Sequence, residues 1–164
     1  MRYNKIRKMD ISNGPGVRVS IFMQGCTFNC KDCFNPETHD FNGGKEFNDE
    51  TINRIIELSK GEYIEGLSIL GGEPLHPKNI NSSTKLAKIF KEVYPDKTIW
   101  VWSGFNFEKD LKDKDILNYI DVLVDGKFDT NLKDYSLKWK GSSNQRVIDV
   151  KKSLIKNSVI LYKD

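Results

Sequence analysis

The sequence predicts an α/β fold: a parallel sheet built from βα units, curved into part of a barrel rather than a whole one. Three observations carry this. Short, β-branched apolar runs alternate with amphipathic segments along nearly the whole chain, the pattern of successive βα units. A glycine-containing turn stands directly after each of the first four runs. The chain has 164 residues, well short of the roughly 250 that a complete eight-fold barrel needs. The expected architecture is therefore a partial, side-open (βα) barrel, with an open doubly wound sheet as the other arrangement of the same units. At about 100–200 residues per domain, one domain spanning 1–164 is expected. An open side can admit a large substrate, even another protein.

Taken in order, Val17 to Phe22 is bounded by Gly14-Pro15-Gly16 before and Gln24-Gly25 after, and reads as the first strand. Asn48 or Asp49 can cap a helix whose Ile52, Ile55 and Ile56 share one face. Leu67 to Leu70 is a second strand, ending at Gly71-Gly72. Leu86, Ile89, Phe90 and Val93 follow the i, i+3, i+4, i+7 spacing of a second helix, stopped before Pro95. Thr98 to Trp102 is a third strand, closed by Ser103-Gly104, and a third helix is expected over Phe107 to Tyr119. Val122 to Val124 is a fourth strand, followed by Asp125-Gly126. Arg146 to Val150 and Ser158 to Tyr162 read as late strands separated by the basic segment Lys151 to Lys156.

Composition narrows the function class. The net charge is only +3, with 26 Lys and Arg against 23 Asp and Glu, so neither a nucleic-acid nor a membrane surface is expected. Hydrophobic residues at 38% and aromatics at 11% are enough for a core. No apolar run approaches the ~18 residues of a membrane span. Met1 to Asp10 lacks the apolar stretch of a signal peptide, so a soluble cytoplasmic protein is expected. The cysteines are three, an odd number, and all lie between positions 26 and 33. That argues against a disulfide scaffold and for a reduced-thiol site.

Cys26, Cys30 and Cys33 have the spacing CxxxCxxC on the loop after the first strand. Three readings are open: inert buried thiols, a zinc ion with His39 as fourth ligand, or a 4Fe–4S cluster. The cluster is favoured. Most such clusters take four cysteines, so three leave one iron with an open coordination position. Gly71-Gly72-Glu73-Pro74 follows the second strand at once. Its glycines permit close backbone approach to a ligand, and Glu73 supplies a carboxylate suited to an ammonium group. In a βα architecture the loops after successive strands share one rim, so the cysteine loop, Gly71 to Glu73, Ser103-Gly104 and Asp125-Gly126-Lys127 should face one another. Trp100 and Trp102 share a face and read as interior packing; His76 and the Lys151-Lys152 pair read as structural or solvated.

CxxxCxxC followed by a Gly-Gly-Glu turn resembles the radical S-adenosylmethionine (SAM) superfamily. Asn13-Gly14-Pro15-Gly16 just before the cysteine loop resembles its glycyl-radical-enzyme activases. The blocks Gln24-Gly25-Cys26, Gly71 to Pro77, Ile99 to Gly104, Val124 to Phe128 and Trp139 to Gln145 are similar to the activating family of anaerobic ribonucleoside-triphosphate reductases. They run from about residue 13 to 150. Two departures are conservative: Phe34 stands where the family often has Tyr, and Glu73 where it often has Asp. The resemblance implies a fold of the radical SAM type and one cluster per chain held by Cys26, Cys30 and Cys33. It implies SAM held by Gly71, Gly72 and Glu73, with Asp32, Cys33 and Phe34 on the adenosyl side. Reductive cleavage of SAM would give a 5′-deoxyadenosyl radical that generates a glycyl radical on the large reductase subunit. A low-potential flavodoxin- or ferredoxin-like protein would supply the electron. An activase of another glycyl radical enzyme, such as pyruvate formate-lyase, and a zinc-binding adaptor are the alternatives.

Overall fold

The computed structural model describes residues 1–164. Seven strands, β1 (Arg2–Asp10), β2 (Val17–Gln24), β3 (Lys45–Glu46), β4 (Ile64–Gly71), β5 (Thr98–Trp102), β6 (Val122–Asp125) and β7 (Arg146–Asp149), form one sheet. Its order is β3-β1-β2-β4-β5-β6-β7. β2, β4, β5 and β6 run parallel, while β1, β3 and β7 join antiparallel at the two sides. Three helices accompany them: α1 (Asp49–Leu58), α2 (Ile80–Val93) and α3 (Val150–Lys156).

Five of the six expected strands and the first two helices are present, and local chemistry explains their ends. Asn48 caps α1 reciprocally: its side-chain oxygen accepts the Thr51 N–H at 3.1 Å, and its own N–H donates to Thr51 Oγ1 at 3.2 Å. α2 ends at Val93, and Tyr94, before Pro95, leaves the helical backbone at φ −126°, ψ 72°.

Three expectations are corrected. Phe107 to Tyr119 is not one helix but a π-helical turn, Phe107–Leu111, and a 3-10 turn, Asp115–Asn118. The run Lys112-Asp113-Lys114-Asp115 has no apolar residue for the sheet. Breaking there lets Phe107, Leu111, Ile116 and Leu117 all be buried. Ser158 to Tyr162 makes a single bridge, Leu161 with Ile148, instead of a strand. Lys151 to Lys156 lies in α3, whose N-cap Asp149 accepts the Lys152 N–H at 3.0 Å. The N-terminal segment, featureless by composition, is the nine-residue strand β1.

Strand alternation divides the sheet into two faces. Val19, Ile21, Met23, Leu67, Ile69, Ile99, Val101 and Leu123 pack with residues of all three helices in one core. The opposite face carries Phe22, Ser68, Trp100, Trp102, Val122 and Val124, and no helix covers it. Trp100, Val122 and Val124 form a small second cluster there with Trp102, Trp139 and Tyr162.

Arg18 anchors this second face at the end away from the rim. Its buried guanidinium donates to Ser68 Oγ at 2.8 Å, to the Leu67 and Thr98 carbonyls at 3.0 Å each, and to the Pro15 carbonyl at 3.3 Å. Burial draws its pKa down to about 10, so it remains a cation at neutral pH. β2, β4, β5 and the Asn13–Gly16 loop are thereby tied together. Gly14 is required in that loop: its φ is +105°, and a Cβ would lie 2.9 Å from the Arg18 side chain.

Candidate active site

The C-terminal ends of β2, β4, β5 and β6 meet at one rim, as expected, and backbone hydrogen bonds lace their loops together. The Gly72 N–H donates to Met23 O at 2.9 Å, Glu73 N–H to Gly25 O at 2.8 Å, and Ser103 N–H to Val124 O at 2.9 Å. Below the rim lies a cavity of about 440 Å³, lined by Cys26, Cys30, Cys33, Phe34, Gly71, Gly72 and Glu73 among others. Its lining also includes Arg7, Asn13, Phe22, Trp102 and Trp139.

The cysteine loop folds back because two residues take left-handed backbone, Asn29 (φ +48°) and Asp32 (φ +58°); Asn and Asp tolerate that region best after glycine. Its base is fixed by Gly25 N–H donating to Thr38 O at 2.7 Å and Cys26 N–H to His39 O at 3.1 Å. The Asn35 N–H donates to Cys33 Sγ at 3.4 Å. Burial pushes the Cys26 thiol above its ordinary pKa; it does the same to Cys30, opposed there by the charge of Lys127. Ligation must therefore displace protons from these thiols.

No three His, Cys, Asp or Glu side chains are gathered closely enough to hold a single metal ion. The zinc set of Cys26, Cys30, Cys33 and His39 is therefore not assembled; His39 contributes its carbonyl to the loop base. A cluster is wider than one ion, and thiols that ligate it stand apart around it. All three thiols line one cavity, and thiolate donors suit iron–sulfur chemistry.

The glycine pair does something the sequence reading did not foresee: its close approach is to the chain's own backbone. A Cβ on Gly72 would lie 2.7 Å from both Gly25 O and Thr38 O. Gly71, at φ +117°, would place one 2.4 Å from Met23 N. The pair seats the base of the cysteine loop. Glu73 is likewise turned inward, 1% exposed. Its Oε1 accepts from Leu75 N–H at 2.9 Å and Ser103 Oγ at 2.8 Å, and its Oε2 from Gly104 N–H at 2.7 Å. The carboxylate thus joins the β4 loop to the β5 loop, leaving about one of its ~four acceptor positions free. Burial pushes its pKa up to about 7 despite these three donors.

A pH dependence follows. Between about 4.5, the ordinary value, and about 7, the folded chain retains a proton that the unfolded chain releases. Stability should therefore fall as pH rises through that window, by an amount on the order of 3 kcal/mol. Urea titrations of the chain before cluster loading check this, and Glu73→Gln should flatten the slope.

Asp32 is the one expected site residue that the structure sets outside the cavity. Its carboxylate accepts from Thr130 Oγ1 at 2.7 Å and braces the loop from outside; Asn35 takes the place on the cavity wall beside Cys33 and Phe34. Phe34 is 54% exposed, its ring 5.0 Å from Phe128 and beneath the Lys133 amine. Phe128 and Thr130 belong to the long connection from β6 to β7, a strap over residues 126–145. Gln145 pins the strap by accepting the Gly141 and Ser142 N–H groups and donating to Gly126 O at 2.9 Å. Asp125 is held by Arg146 at 2.6 Å and accepts the Phe107 N–H. These residues shape the rim. The Trp102 indole donates to Trp139 O at 2.7 Å, fixing a tryptophan with φ +68° in the wall. No spacing signalled Trp139 or Arg7, because strap and strand meet the cavity only through the tertiary fold.

The family described as a 4Fe-4S single cluster domain matches residues 12–148 of this chain. Among curated relatives, the anaerobic ribonucleoside-triphosphate reductase-activating protein of enterobacteria phage T4 is 40% identical over 147 residues, covering 90% of this chain and 93% of its own. The protein of the same description from Vibrio cholerae is 40% identical over 148 residues (88% and 96%), and that of Escherichia coli strain K12 is 40% identical over 150 (90% and 97%). The three thiols lining one cavity and this similarity over about nine-tenths of the chain agree: the chain belongs to the family of anaerobic ribonucleoside-triphosphate reductase-activating proteins.

Proposed function

We propose that this chain activates an anaerobic ribonucleoside-triphosphate reductase by generating a glycyl radical on its large subunit. Cys26, Cys30 and Cys33 would hold a 4Fe–4S cluster, with SAM beside it at Gly71, Gly72 and Glu73. The observation that carries the reading is the shared cavity, whose lining includes all three thiols and the Gly71–Glu73 turn. When bound, cluster and SAM together supply one-electron reductive cleavage, fed by a low-potential flavodoxin- or ferredoxin-like donor.

The protein's own part is binding and exclusion. Three thiols leave one metal position for a ligand. Cys33, Phe34 and Asn35 line the side suited to a flat ring, with Phe34 offering its face. Glu73 keeps the β4 and β5 loops in register, and its remaining acceptor position would be the one left for the ammonium. Trp102 and Trp139 wall the cavity with apolar surface that excludes water. The uncovered sheet face supports the side-open partial barrel as part of the same proposal, since a polypeptide needs such an opening.

Incubating the loaded protein anaerobically with SAM, an electron donor and the large reductase subunit should produce a glycyl doublet by EPR, together with deoxyribonucleotide. A doublet in pyruvate formate-lyase but not in the reductase moves the partner. SAM cleavage with no doublet in any glycyl radical enzyme ends the activase reading.

A further inference from the structure

The sheet has one long edge with no strand paired to its outer side. β3 pairs only with Arg2 and Tyr3, so Asn4 to Asp10 have β2 on one side and no strand on the other. Backbone groups along such an edge are a template for adding an extended chain. The edge lies beside the cavity, since Arg7 is among its lining residues.

Its charge is one-sided. Arg2 is engaged by the Gly43 and Gly44 carbonyls at 2.7 Å each. Asp10, the only acid on β1, is buried and accepts from Ser20, Asn13 and Ser12 at 2.6–2.8 Å. Three cations remain. Lys5 and Arg7 both sit over the Phe22 ring, at 4.8 and 4.9 Å from its centre, and Lys8 is exposed. The only carboxylate near them is Asp10, at 4.0 Å from Arg7. Charged residues and bulges also blunt edges against aggregation, and β1 has irregular register on both sides of Lys5–Arg7. Blunting alone, however, does not call for a cation in the cavity wall.

We propose that the outer edge of β1 docks an extended, acidic segment of the reductase by strand addition, with Lys5 and Arg7 pairing its carboxylates. This rests on the activase reading above. Strand addition would supply main-chain affinity, the two cations would set register, and the neighbouring residues of the segment would lie over the cavity mouth.

The test combines hydrogen exchange with a charge reversal. In the complex of loaded wild-type protein and large reductase subunit, amides within Asn4–Asp10 should gain protection. Lys5→Glu with Arg7→Glu should weaken that complex on the order of 10-fold or more. The matched reversal Lys152→Glu with Lys156→Glu, on exposed positions of α3, should leave its affinity unchanged. Unprotected amides in a complex that still yields the glycyl doublet would overturn the docking proposal and leave the activase reading standing. Equal weakening by both reversals would also overturn it. Absence of complex and doublet in the wild type would remove both.

Discussion

Alanine at Cys26, Cys30 or Cys33 should abolish cluster loading, taking the chain from about four irons to near none after anaerobic reconstitution. The chain has no other cysteine to substitute, and two thiolates do not retain a cluster whose fourth position is already open. The fold should survive, because the loop is held by backbone bonds that no thiol makes: Gly25 to Thr38, Cys26 to His39, and Cys33 N–H to Cys30 O. Iron analysis and visible absorbance read the loss, and an unchanged urea midpoint separates it from unfolding. Stoichiometric zinc in anaerobically purified wild-type protein, with no iron uptake, would refute the cluster.

Gly72→Val should remove cluster and SAM binding together. A ligand-facing glycine would lose only the ligand when given a side chain. Here the first added carbon meets two carbonyl oxygens at 2.7 Å, on either side of the loop base, and neither is a flexible end that can swing away. The loop must shift, carrying Cys26 with it. Overpacking of this kind destabilises by about 3 kcal/mol. Iron content, SAM binding and urea midpoint should fall in parallel. Intact iron with SAM binding alone lost would restore Gly72 to direct ligand contact.

Much of the fold was legible because its parallel strands carry β-branched and apolar residues between glycine-bearing turns. Val17 to Phe22 and Thr98 to Trp102 announced themselves that way. β1 did not: Lys5, Arg7 and Lys8 interrupt the apolar signal, and only Tyr3 and Asp10 are fully buried. The π-helical turn at Phe107 was illegible because the bond that starts it comes from Asp125, 18 residues on. In the site, local spacing exposed the thiols. It did not show that the Glu73 carboxylate also holds Ser103 and Gly104, some 30 residues away. Nor could it show that Asp32 accepts from Thr130, across 98 residues of sequence.

That last span bears on how the protein is made. The cysteine loop and its base are complete once residue 39 has been synthesised, yet its outer braces, the Asp32–Thr130 bond and the Phe34–Phe128 ring contact, await the strap. During translation the thiols leave the ribosome long before the walls that confine them. Iron delivered to the nascent chain would meet an unbraced loop and open solvent. Cluster insertion is therefore expected to follow chain release, with translation order itself setting when the centre can be built.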